Sequence, residues 1–274
     1  MSDTLDRVLR SVDEQHATEN TATRRQLVAG AGATLGGLGL LSLPGMAFGE
    51  ETEADAVASS QNTPENILNV AATAEVLATI VNTVGVKRLG DQMDNVTRRN
   101  FEAAAREELI HYKKLTGALG ARPATKRIWV PDKVFSSVNN LLDTVIVGDQ
   151  IFINAYLIGT TVFGSAGAGQ AARVTAQFMG VEAVHRALAR QSRGLLGNDR
   201  AFIKFDNKER AAGPGRGKQG FTKIFDAVEQ LQAAGFGFDE RNDKPGEFFK
   251  LDKVDNDTPN PKGRDGVNTR DIAM

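Results

Sequence analysis

Only three histidines occur in the chain, and two of them close the same four-residue pattern: Glu108-Leu109-Ile110-His111 and Glu182-Ala183-Val184-His185. On a helix, residues three apart project from one face, so each pair can offer a carboxylate oxygen and an imidazole nitrogen to one ion. A single Glu-x-x-His is weak, because it is usually a local hydrogen bond or ion pair. Here the surroundings repeat as well. Glu75 precedes Glu108 by 33 residues (108 − 75), and Asp149 precedes Glu182 by 33 (182 − 149). The leading acids are offset by 74 (149 − 75), as are the closing histidines (185 − 111). One helix-pair unit therefore occurs twice, each with a lone acid on its first helix and Glu-x-x-His on its second.

The lone acids stand in apolar surroundings. Glu75 is the only charge from Asn66 to Val86, and Asp149 the only one from Thr144 to Ala172. An unpaired carboxylate in a core costs several kcal/mol, so each must be protonated, paired or bound to a metal. With no cysteine in the chain, a metal must be held by His and carboxylates, and thiol chemistry, zinc fingers and iron–sulfur clusters are excluded. The alternative is a metal-free polar network in which Glu75 and Asp149 pair with protonated His111 and His185.

Helices must position these residues. Thr63-Pro64 reads as a cap and first turn, and the apolar run from Asn66 predicts a buried helix stopping at Gly85. A second helix is expected over Asn95 to Leu119, with Phe101, Ala104, Ala105, Glu108, His111, Tyr112 and Leu115 on one face. The stretch to Val130, with the only tryptophan, Trp129, reads as a crossing loop. Pro131-Asp132 opens a third helix to about Phe163. Asp149, Gln150 and Asn154 argue for a bundle helix there rather than a membrane span. A fourth helix is expected from about Gln170 to Leu195, and a short fifth over Phe221 to Ala234. From Asp239 onward the chain is polar, expected to wrap the helices or fray. Asp255 and Asp257 resemble the start of a calcium loop, but Pro259 and Asn260 stand where a ligand and the turn glycine belong.

The 274 residues carry 33 Lys+Arg against 34 Asp+Glu, a net charge of −1 that argues against a dedicated nucleic-acid binder. Seven basic residues between Arg200 and Lys223 read as a solvated loop. Thr23-Arg24-Arg25-Gln26-Leu27 precedes an uncharged Gly/Ala/Leu-rich run to Phe48, with Ala47-Phe48-Gly49 as a small-x-small cleavage site. Arg24 and Arg25 with weak hydrophobicity point to export by the twin-arginine machinery, to the periplasm, the cell envelope or outside the cell. Gly30-Ala31-Gly32 is not a nucleotide loop, because no strand precedes it and the spacing is wrong.

The fold class expected is all-α: a ferritin-like four-helix bundle with a crossover between helix pairs, plus a polar C-terminal extension. Its divisions are a signal at 1–49, a linker at 50–61, the bundle at 62–196, and a loop, short helix and tail at 197–274. The chain resembles bacterial ferritin-like domain proteins exported with a twin-arginine signal, which are similar to plant desiccation-related proteins. Ile67-Leu68-Asn69 with Glu75, Glu107-Glu108 with His111, Gly148-Asp149 through Ala155-Tyr156-Leu157, and Glu182 with His185 carry the resemblance. It implies a di-iron site and leaves the biological role poorly defined. One departure is Asp149, where the family pattern has Glu; losing a methylene shortens the reach by ~1.5 Å and favours a monodentate or water-mediated contact.

The expected metal ligands are Glu75, Glu108, His111, Asp149, Glu182 and His185. Glu108 and Glu182 would bridge two ions, the histidines would give one nitrogen to each, and Glu75 and Asp149 would be terminal. Iron is the first metal expected, with manganese as the variant, and Tyr112 and Tyr156 are candidate redox or supporting groups. The functional expectation is iron or oxidant handling outside the cytoplasm, with ferroxidase-like or oxidant-scavenging activity. The alternative is a non-enzymatic stress or envelope protein with a degenerate or empty site. A homo-oligomer is compatible with the sequence, whereas the long tail disfavours a closed storage cage.

Overall fold

The first long helix, α1 (Pro64–Leu89), begins at the expected cap. The Thr63 side chain accepts a hydrogen bond from the Asn66 amide at 3.1 Å, and Pro64 occupies the first turn, where its missing N–H leaves nothing unpaired. A computed structural model describes residues 60–197 and 220–260. Arg24, Arg25, the signal, most of the linker, most of the basic loop and the last fourteen residues lie outside the described residues. Asp94 caps α2 (Asn95–Ala118) through the amides of Val96 and Thr97, and Ser137 caps α3 (Val138–Ser165) through that of Asn140. A tight turn at 166–168 leads into α4 (Gly169–Ser192).

Helix α1 packs along α2 and α3 along α4, while α1 also lies against α3 and α2 against α4. Their apolar faces therefore meet in one core. The link within each pair is short, whereas 119–137 separates α2 from α3. Both α1 and α3 are long and apolar enough to cross a membrane, but 83% and 72% of their most apolar windows are buried inside the fold, which accounts for their composition.

Three expectations need correction. Gly85 does not stop α1; the helix runs one more turn, and the glycine lets Leu141 of α3 approach. A Cβ at position 85 would lie 2.6 Å from Leu141 Cδ2, so the residue serves helix packing rather than termination. Pro131-Asp132 does not open α3. Pro131 ends a strand, Asp132–Phe135 forms a 3-10 turn, and the helix waits for the Ser137 cap.

The third correction concerns the crossing loop: the fold is mostly helical, as expected, but that stretch adds a small sheet. The supposed crossing loop contains β1 (Arg127–Pro131), flanked by β2 (Gly237–Phe238) and β3 (Gly246–Lys250), both antiparallel to it. Trp129 pairs with Gly237 on one side and Phe248 on the other, and its indole N–H donates to the Lys244 carbonyl at 3.1 Å.

The tail from 239 to 260 wraps the helices. The fifth helix, α5 (Phe225–Ala234), lies against α3, and α6 (Leu251–Val254) lies against α1. Phe221, Ile224, Leu231, Phe236, Leu251 and Val254 join the same apolar core as the four long helices. Polar ties set the register of this segment. Asn154 Nδ2 donates to the Phe221 carbonyl at 2.7 Å, and Asn62 both donates to the Thr222 carbonyl and accepts from the Ile224 amide. Asp257 and Asp255 pair with Lys87 and Lys113 on α1 and α2, and Arg106 donates to the Pro259 carbonyl.

Candidate metal centre

Each long helix contributes to one buried cluster. Glu75 comes from α1, Glu108 and His111 from α2, Asp149 from α3, and Glu182 and His185 from α4; none is more than 6% exposed. The helical period puts Glu108 one turn from His111 and Glu182 one turn from His185, so both pairs face inward. Donor atoms of Glu75, Glu108, His111 and Glu182 all lie within 4.8 Å of one another, and so do those of Asp149, Glu182 and His185.

Both histidines present Nδ1 to the cluster. His111 Nδ1 stands 3.4 Å from Glu75 Oε1, Glu108 Oε2 and Glu182 Oε1. His185 Nδ1 stands 3.1 Å from Glu108 Oε1 and 3.7 Å from Glu182 Oε2. Each of these two glutamates thus turns one oxygen toward His111 and the other toward His185, the arrangement required of a bridging carboxylate.

These contacts lack hydrogen-bond alignment. Eight buried atoms of the six residues have no hydrogen-bond partner: Glu75 Oε2, both oxygens of Glu108 and Glu182, His111 Nδ1, Asp149 Oδ2 and His185 Nδ1. Buried polar groups are ordinarily paired, so such a concentration calls for an explanation. Ligand atoms held roughly 2.0–2.2 Å from one cation lie about 3.0–3.5 Å from each other, which matches the separations found. The residues present therefore fit a metal centre.

Surrounding groups fix the donors. His185 Nε2 lies 2.7 Å from Glu107 Oε2, so a neutral ring with its proton on Nε2 would donate to this carboxylate and leave the Nδ1 lone pair for the cluster. The His111 ring stacks on Phe178, with centroids 3.9 Å apart. The Tyr156 hydroxyl donates to Glu75 Oε1. Tyr112 packs in the apolar core. Glu107, Phe178 and Tyr156 thus position candidate ligands, of which the sequence reading names Tyr156 alone as a supporting group. Glu107 enters the sequence reading only as part of the resemblance, and its spacing assigns it no contact with His185.

Burial raises the carboxyl groups of Glu75 and Asp149 well above the ordinary range. His111 opposes this at Glu75; at Asp149 the Glu182 charge adds to it, while His185 and Arg186 oppose it. Burial also disfavours the imidazolium form, yet the facing carboxylates win and raise both His111 and His185 well above 6.5. Glu108 goes the other way: burial is outweighed by its contacts with His111 and His185, which hold it well below 4.5. Burial and the Glu75 charge keep the Tyr156 proton on its oxygen.

If Glu107 sets the tautomer of His185, Glu107→Gln should weaken metal binding by about 10–100-fold while leaving the fold intact. Competition against a calibrated chelator measures this, and equal affinity in the variant would show that Glu107 does not orient the ligand. No family model, curated protein or solved structure matches this chain, so its function is argued from the centre itself.

Proposed function

We propose that the chain is an exported, ferritin-like protein that binds two iron ions at this centre and handles iron or oxidant outside the cytoplasm. The observation that carries the reading is the convergence of eight unpaired donor atoms from four helices on one buried volume. One ion would be held by Glu75 and His111 and the other by Asp149 and His185, with Glu108 and Glu182 shared between them. A carboxylate-rich di-iron centre supplies electrons to oxygen or peroxide, because hard anionic oxygens stabilise the ferric form. Manganese suits the same ligands, and elemental identity after purification distinguishes the two.

The protein's own groups prepare the centre. Phe178 covers His111 and keeps water from its ring, Tyr156 holds one Glu75 oxygen, and Glu107 fixes the proton on His185 Nε2. Asp149 reaches the second donor group despite its shorter side chain. It also borders open space, so an added methylene has room. Asp149→Glu should therefore bind the second ion more tightly and speed Fe(II) oxidation by oxygen by up to about tenfold, as first-contact geometry sets both properties. Stopped-flow absorbance reads the rate. A folded variant with unchanged rate and affinity would show that the shorter acid does not limit the centre.

The second reading, a stress or envelope protein with a proton-held, metal-free cluster, is favoured by the proximity of both histidines to carboxylates. Metal content separates it from the first.

Export by the twin-arginine route rests on Arg24-Arg25 and the uncharged run that follows. Changing both arginines to lysine should retain the full-length chain in the cytoplasm, read by cell fractionation. Undiminished export of that double variant would end the claim.

A further inference from the structure

A cleft of about 560 Å³ opens beside the centre, within the ~300–1,000 Å³ range of small-molecule sites. Its walls are mainly apolar: Leu77 and Val81 of α1, Val134, Phe152 of α3, Leu231 of α5 and Phe236. The rim is polar. Lys133 and Lys244 are exposed there, and Asp143 is engaged with Arg193 at 2.7 Å. Two polar side chains of the lining are buried, Asn82 at 3% exposure and Asp149 at 4%. Asn82 Oδ1 and Asp149 Oδ2 have no hydrogen-bond partner.

Asn82 also borders a small cavity of about 20 Å³ lined by His185, with room for a single water. The cleft therefore adjoins the Asp149 and His185 half of the cluster. Glu75 and His111, in the other half, line neither opening.

We propose that this cleft binds an apolar organic molecule carrying a hydroxyl group, its hydroxyl donating to Asn82 Oδ1 and its apolar body lying between α1, α3 and α5. Asn82 is a buried acceptor with no donor from the protein, and it borders a cleft whose walls are mainly apolar. A ligand with a hydroxyl satisfies it, whereas an ether or hydrocarbon of the same shape leaves it unpaired. That the molecule would lie beside a metal rests on the di-metal reading above; the hydroxyl selectivity rests on Asn82 and stands without it.

Para-butylphenol and its methyl ether form a matched pair of probes, titrated calorimetrically into the full chain with and without metal. The phenol should bind at least about tenfold more tightly than the ether, the discrimination expected when a buried acceptor gains or loses its donor. Asn82→Leu should erase that preference. Gly148→Leu provides a control that protects against misfolding. Gly148 lines the cleft, a Cβ there meets nothing within 4 Å, and leucine favours the helix over glycine. This variant should lose at least about tenfold in phenol affinity, with its metal content unchanged. Absence of phenol binding in wild type, equal binding of phenol and ether, or undiminished binding in Gly148→Leu would each overturn the proposal. Phenol selectivity in a wild-type protein that takes up no metal would uphold the pocket and remove the di-metal reading. Full metal content without phenol binding would do the reverse.

Discussion

Under the di-metal proposal, Glu108→Ala is expected to lose both metal ions, because one side chain would serve both halves of the centre. Its Oε1 faces His185 and its Oε2 faces His111, so no other single removal touches both nitrogen donors as closely, apart from Glu182. The effect should exceed the ~10–100-fold affinity loss typical of outer supporting groups. Elemental analysis after anaerobic loading and desalting provides the readout. Glu108→Gln, which keeps the volume but not the anion, should behave similarly and guards against loss by misfolding. By contrast, His185→Ala should mainly weaken one ion. Wild-type metal content in a folded Glu108→Ala protein would eliminate the shared centre.

Metal removal should invert the pH dependence of stability. In the metal-free chain, His111 and His185 are raised above 6.5, so their contribution is full below that value and is lost as pH rises through the folded-state values. Glu75 and Asp149 are raised as well, which means that the folded cluster holds protons the unfolded chain has already released. The folded state thus binds more protons than the unfolded one, and stability must fall with rising pH. Glu108 opposes this only toward acid, because a depressed carboxyl loses its contribution as pH falls below 4.5. The protons belong to the coupled cluster rather than to any one residue. Thermal midpoints of chelator-treated protein should therefore decline from about pH 6 to about pH 9. The loaded protein should gain over the same range, since metal ligands must shed protons to bind. A midpoint of the metal-free form that rises across that interval would contradict the assigned directions.

The cluster was legible in the sequence because its geometry is mostly local. Three-residue spacing on a helix puts Glu108 beside His111 and Glu182 beside His185, and a lone acid in an apolar run can only be Glu75 or Asp149. The buried face of α2 from Phe101 to Leu115 followed from the same periodicity. Features that depend on partners distant in sequence were missed. Gly85 reads as a stop until Leu141 is seen pressing on it. Trp129 reads as loop until residues near 237 and 248 pair with its strand. The polar tail conceals apolar anchors, Leu251 and Val254, that only packing against α1 reveals. Glu107 and Asn82 acquire their roles from α4 and from the cleft, neither of which leaves a mark on the surrounding sequence.

The most direct test is the metal content of the wild-type chain, loaded anaerobically with Fe(II), desalted and measured as iron per polypeptide. The proposed bridging by Glu108 and Glu182, each with one oxygen toward either histidine, predicts two irons per chain, both lost in Glu108→Ala. Uptake of no iron, or of the same amount by wild type and Glu108→Ala, would contradict the di-metal centre and leave the six side chains as a proton-held network.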